Sequence, residues 1–345
     1  MNNDFLRINS EEKDEDIAVG EYYVGKEEIG ERKKKKSVTV FSMLKTIRAA
    51  KKSGNLSDTL KIPDTRGIFS AFLIFSVCDL VLIFTALIAR NTSFLFFASV
   101  AFSFLFPIFS IMFFYMFNTR RNVGMGEIAG AAMAGLLVYV ILKLFYDLMP
   151  KFFEIRAWAK DLISSATIDI LLFFIAKFFV KMCKKDDMFS AMLLTICVFA
   201  GFAFIRSADS LFSVLLNVKA EIKSGYFVNG KSVFDVGLEN YLLNLLFETI
   251  YLNLMYFAWS VICGALNGIT VSPVKPKGHE GSSVYLLLVV FMVLHAMVAF
   301  TPAILFFNIF LDVISFIVSF VVAYNVLNYA LGFMKFEVKN TDVSI

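Results

Sequence analysis

The chain has 345 residues, of which 58% are hydrophobic and 18% charged, with 41 Phe and a net charge of +4. Soluble globular domains average about 45–50% apolar and about 25% charged, so this composition, with a mean hydropathy of +0.72, excludes an ordinary soluble domain and implies an all-α, polytopic membrane helix bundle. Residues 1–66 hold 26 charged side chains and the other 279 residues only 36, which divides the chain into a polar tail and a membrane body.

The basic charge is concentrated in one segment of the tail, and no zinc-finger spacing or basic fold accompanies it, so nucleic acid is not an expected partner. Cys78, Cys183, Cys197 and Cys263 stand singly with no CxxC. Neither a disulfide framework nor a thiolate metal site is indicated, and no cofactor is expected. The opening MNNDFLRINSEEKDEDIA is acidic where a secretory signal is basic and then apolar, so no cleaved signal is expected.

Within the tail, residues 1–31 are polar and acidic, too poor in apolar side chains to bury a core, and are expected to be disordered. From Arg32 to Lys52 the sign reverses. RKKKKSVTVFSMLKTIRAAKK has nine basic residues, among them Lys33, Lys34, Lys35 and Lys36, and no acidic one. Val40, Met43, Leu44 and Ile47 recur at helical spacing, while Lys45, Arg48, Lys51 and Lys52 fall largely off that stripe. The pattern predicts an amphipathic helix near 38–52 lying on an anionic lipid surface, each basic residue contributing on the order of 1 kcal/mol. A solvated basic linker that only fixes topology fits the same residues. Both readings place the 1–66 tail in the cytoplasm.

About 20 apolar residues cross a bilayer. Apolar runs of roughly that length lie near 68–89, 94–117, 125–149, 161–182, 188–216, 239–269, 284–301 and 303–334, which predicts about eight transmembrane helices within a 67–335 bundle. The last two form one nearly unbroken stretch that turns at Thr301-Pro302. With the tail inside, the basic loops TRRN (119–122) and KMCKKDD (181–187) fall on the inner side, as does a C-terminal tail over 336–345. Outer loops also carry basic residues, including Lys151, Arg156 and Lys219, so the orientation rests on the tail and the 181–187 loop. The expected location is the cytoplasmic membrane, with both termini cytoplasmic.

Ionisable side chains inside spans are costly and face the bundle interior, which makes them the first functional candidates. They are Asp79, Asp169, Lys177, Arg206, Asp209, Glu248, His295 and Asp312. Counting about 1.5 Å per residue places Asp169, Arg206, Asp209, Glu248, His295 and Asp312 between the midplane and the outer interface. Arg206 and Asp209, at i and i+3, have the spacing of a pair on one helix face, and Asp169 on the preceding helix is positioned to complete a cluster. Such a layer reads as a structural ion-pair knot, as a proton or ion relay, or as a catalytic remnant. A lone His295 with scattered carboxylates supplies a zinc site poorly, so no metal is expected. Serine, zincin and aspartyl protease signatures and nucleotide-binding motifs are absent from the sequence.

The segment KKDDMFSAMLLTICVFAGFAFIRSADSLF (184–212) resembles the PrsW-type membrane proteases, in which a charged loop leads into a small-residue helix ending in GFA, two hydrophobic residues and Glu-Asn. Gly201, Phe202 and Ala203 match, and Arg206-Ser207 replace the Glu-Asn pair. Where the family carries Glu-Glu-x-x-Lys, this chain has Asp169-Ile170-Leu171-Leu172-Phe173. Gly264 matches a glycine that follows a histidine by about eight residues, and Tyr256 stands in that histidine's place. The late His-x-x-x-Asn motif becomes His295 through Ala299, with the histidine kept and the asparagine lost. The resemblance covers roughly residues 160–300. It implies the glutamate-dependent intramembrane protease superfamily, in which a glutamate activates water while His and Asn position it and stabilise the oxyanion. Carried onto this chain, the first role falls to Asp169 and the second to His295. The departures imply a non-catalytic relative that binds membrane segments or a protein or peptide partner. An active endopeptidase working through Asp169 and His295, and a transporter or channel using the Asp169, Arg206, Asp209, Glu248, Asp312 layer, are the alternatives.

Overall fold

The computed structural model describes residues 65–115, 122–148, 157–185, 187–223, 234, 237–271 and 313–327. Every regular element among them is helical: α1 (Thr65–Ala89), α2 (Thr92–Tyr115), α3 (Met125–Leu148), α4 (Ala157–Met182), α5 (Met188–Lys223), α6 (Leu238–Leu246), a π-helical turn (Phe247–Leu252), α7 (Asn253–Val271) and α8 (Val313–Leu327). Helices therefore occupy the first six predicted spans. Five are long and apolar enough to cross a membrane, namely α1, α2, α3, α5 and the unit Tyr241–Val271. The chain is an integral membrane protein, all-helical among the described residues. The tail with its basic segment, the 284–301 span, the 336–345 tail, His295 and Asp312 lie outside the described residues.

The turns that join the spans are built from short polar side chains and two left-handed residues. Helix α1 ends with Arg90 at φ 48° and the Asn91 N–H donating to the Ala86 carbonyl at 3.2 Å. Helix α4 ends the same way, with Lys184 at φ 52° and the Lys185 N–H on Val180. This is the Schellman closure, in which a left-handed residue lets the chain satisfy carbonyls that the helix end leaves open. The next helices are then capped: the Asn91 side chain accepts from the Ser93 N–H at 2.9 Å and Asp187 from the Ser190 N–H at 2.8 Å. Glu127 reaches back to the Gly124 N–H at 2.8 Å and pairs with Lys185 at 2.8 Å. Lys185 also donates to the Asn122 carbonyl, and the Asn122 amide to Asp187. The start of α3 and the start of α5 are thereby one polar joint.

Helix α5 is the axis of the bundle. Its 36 residues extend about 54 Å at 1.5 Å per residue, longer than a hydrocarbon core of about 30 Å, and its apolar part is almost wholly buried. Helices α2, α3, α4 and α7 pack around it. Two approaches are backbone to backbone. A Cβ on Gly135 of α3 would overlap the Val198 carbonyl oxygen, and one on Gly201 of α5 would overlap that of Ala132. Against α7, Gly264 lies on Met192 and Gly268 on Met188. Small residues at membrane helix contacts let dispersion and weak dipolar contacts replace the absent hydrophobic drive. Tyr241 of α6 donates to the Leu95 carbonyl at 3.0 Å, and Trp259 of α7 donates to Ser319 of α8 at 3.1 Å.

Helices α1 and α2 hold the perimeter. Large apolar side chains on α1, among them Leu73, Ile74, Val81 and Phe84, are exposed as lipid-facing surface. The buried serines of α2 are tied to their own helix: Ser99 to Leu95, Ser103 to Ser99 and Ser110 to Phe106, each through the carbonyl four residues back.

Replacing Gly201 by Ala is expected to cost about 3 kcal/mol, the upper end of overpacking, because backbone and not a flexible side chain stands in the way. Gly126→Ala, with open space around its Cβ position, is expected to leave stability unchanged. Denaturant-induced unfolding of the protein in mixed micelles measures both.

Candidate functional site

The Tyr241–Val271 helical unit is interrupted one third of the way along by the π-turn Phe247–Leu252. A π-turn adds a residue to the winding and loosens the regular carbonyl ladder, and such turns concentrate at functional sites. Here side chains meet three of the carbonyls around it. Thr249 donates to Leu245 at 2.5 Å, Asn253 to Thr249 at 3.1 Å and Ser207 of α5 to Glu248 at 3.1 Å. Ser207 also reaches the Asn253 side-chain oxygen at 3.3 Å. The turn is thus held from within and from α5.

The effect of the extra residue is to bury Glu248 against α5. Its Oε1 accepts from the Ser210 hydroxyl at 2.9 Å, and its Oε2 lies 3.5 Å from the Arg206 Nη1. Neither the Nη1 nor the Oε2 makes a hydrogen bond, so charge alone joins them. The Arg206 guanidinium also lies over the Tyr256 ring, 5.5 Å from its centroid, where the ring face attracts a cation. Asp209, one turn further along α5, faces α3 instead. It accepts from the Tyr139 hydroxyl at 2.5 Å and pairs with Lys143 at 3.1 Å.

The sequence placed Arg206, Asp209 and Glu248 in one layer, and the structure brings Glu248 to Arg206. It does not join Arg206 to Asp209. The i, i+3 spacing permitted that contact, but Tyr139 and Lys143 of α3 take the Asp209 carboxylate instead. Asp169 stands apart, fully buried on α4, with Tyr256 and Cys263 of α7 as its electrostatic neighbours. Tyr256 therefore lies between Asp169 and the Arg206–Glu248 pair. Lys177 lies 6.0 Å from the Phe173 ring centroid near the other end of α4, and Asp79 lies between α1 and α2. Gly201 and Gly264 have packing roles, while Phe202 packs its ring on Tyr139 and Tyr256 and Ala203 is buried.

Sequence reasoning missed Lys143, Tyr139, Ser207, Ser210 and Asn253. Lys143 carried a readable signal, a cation within an apolar run. Ser207 and Asn253 gain meaning only beside the carbonyls of the π-turn, and Ser210 only beside the Glu248 carboxylate. A cavity of about 10 Å³ opens next to the site, lined by Pro107, Ser110, Asn253, Tyr256 and Ser260 among others, and a cavity of that size holds no more than about one water. Among the described residues no group of three His, Cys, Asp or Glu side chains is placed to hold a metal ion.

The site is therefore an ion-pair layer that fixes the π-turn against α5, buried at Glu248 and partly open at Arg206, Lys143 and Asp209. No protein family, curated protein or solved structure matches the chain.

Breaking a buried pair from one side leaves an uncompensated charge, at about 3 kcal/mol or more. Glu248→Leu and Arg206→Met are each expected to destabilise the fold by about that amount, and the double variant by less than the sum. A double-mutant cycle on unfolding in micelles measures the coupling.

Proposed function

We propose that the chain is a multi-pass protein of the cytoplasmic membrane, descended from PrsW-like proteases, that has lost proteolysis and binds membrane segments or peptides. In this reading eight spans cross the bilayer, both termini are cytoplasmic, and the basic stretch 32–52 rests on anionic lipid. The observation that carries it is the state of the carboxylates. Asp169, which stands where the family places its water-activating glutamate, is fully buried among α4 and α7 side chains. Glu248 is occupied by Arg206 and Ser210. General-base catalysis needs a carboxylate within reach of a water that is itself within reach of a scissile carbonyl, and the 10 Å³ cavity beside Tyr256 admits no peptide bond.

An ion or proton relay is the second reading. It is favoured by the polar residues that continue along α5 and α7 from Arg206 through Ser260 to the buried contact of Asn267 with Thr195 at 3.2 Å.

The experiment is reconstitution of the full chain in nanodiscs with a set of synthetic transmembrane peptides, followed by mass spectrometry. Peptides are expected to be retained intact, with identical spectra for wild type, Asp169→Asn and His295→Ala. Cleavage products that vanish in Asp169→Asn would overturn the non-catalytic reading. Proton uptake into liposomes that depends on Glu248 would favour the relay. For the tail, a peptide spanning 32–52 is expected to bind anionic vesicles, and replacing Lys45, Arg48, Lys51 and Lys52 by Gln is expected to remove about 4 kcal/mol of that binding.

A further inference from the structure

Away from the ion-pair layer, α1 and α2 together line an apolar groove of about 260 Å³. Phe72, Phe75, Phe104, Ile108 and Met112 line it, together with one ionisable residue, Asp79. Asp79 sits at the middle of the span Gly67–Ala89 and no described residue hydrogen-bonds or pairs with it. The hydroxyl nearest along the helix, Ser76, is already given to the Phe72 carbonyl at 2.8 Å. An acidic side chain at this depth costs about 2.5–3.5 kcal/mol to insert, and nothing in the described bundle offsets that.

We propose that this groove is a docking site for a transmembrane helix of another protein that carries an arginine or lysine near its middle. The apolar walls match the flanks of such a helix, and a central cation supplies the charge that Asp79 lacks. Lipid fills the walls but leaves the carboxylate unanswered, since an amine headgroup lies about 15 Å away at the interface. A second copy of the chain offers no suitable cation among its described residues. Arg206 is bound to Glu248, Lys143 to Asp209, and Lys177 stands close to the end of α4 over Phe173. The proposal takes from the preceding section only the idea that the protein binds membrane segments, and it gives that binding a location and a charge rule.

Cys78, a free and exposed thiol adjacent to Asp79, supplies the test. The full chain carrying Cys183→Ser is placed in nanodiscs with Leu/Ala peptides of about 22 residues, each with a cysteine beside a central Arg, Leu or Glu, and mild oxidation traps neighbours as disulfides. Trapping of the Arg peptide at Cys78 is expected at a concentration about tenfold below that needed for the Leu peptide, a preference of about 1.4 kcal/mol. The Glu peptide is expected to trap least. Asp79→Asn, which keeps the shape of the side chain, is expected to abolish the preference. Equal trapping of Arg and Leu peptides, a preference that survives Asp79→Asn, or Cys78 joining a second copy of the chain ahead of any peptide would overturn the proposal. Retention of peptides without trapping at Cys78 overturns this site and leaves membrane-segment binding standing, whereas retention of no peptide overturns both.

Discussion

Hydrocarbon offers no hydrogen-bond partner, so a polar group in the body of this protein is costly unless a hydrogen bond or an opposite charge inside the bundle offsets it. That constraint accounts for features that hydropathy alone does not. The π-turn is tolerated because Thr249, Asn253 and Ser207 take up three of the carbonyls around it. Glu248 is tolerated because Ser210 and Arg206 answer its two oxygens. Arg206 in turn gains the ring of Tyr256. Remove any one member and the others are left with an uncompensated group in a medium that cannot hydrate it.

Backbone contact sets the geometry in which this accounting is possible. With Gly135 and Gly201 the axes of α3 and α5 come close enough for Tyr139 and Lys143 to reach Asp209. On the other side, Gly264 and Gly268 let α7 settle on Met192 and Met188, which aligns Tyr256 beneath the guanidinium. The small residues and the charged ones are therefore parts of one arrangement. The former fix the spacing of the helices, and the latter exploit it.

How much of this was legible in the sequence differs by element. The first four helices are read to within a few residues because apolar run length tracks helix length in lipid. Helix α5 runs seven residues past the predicted 216, to Lys223, since NVKAEIK is polar enough to leave hydrocarbon yet still suited to helix. The 239–269 run gave no hint of its π-turn, because the extra residue is stabilised by Ser207, forty-one positions from Glu248. Depth was readable from chain position, which put Arg206, Asp209 and Glu248 in one layer. Rotation about the helix axis was not, so the pairing of Asp209 with α3 and the separation of Asp169 from Arg206 emerged only from packing.

The serines of α2 bear on the order in which the molecule is assembled. A ribosome delivers α2 to the membrane well before α5, against which it packs, exists. During that interval the face carrying Ser99, Ser103 and Ser110 has lipid beside it. Because each hydroxyl is bonded to a carbonyl of its own helix, the helix enters hydrocarbon with its polar groups already answered, and none has to wait for a neighbour. When α6 arrives, the Tyr241 hydroxyl joins the Leu95 carbonyl and the Ser99 oxygen without displacing the earlier bond. The same side chains thus serve first as insertion aids and then, at Ser99, as a docking point for α6.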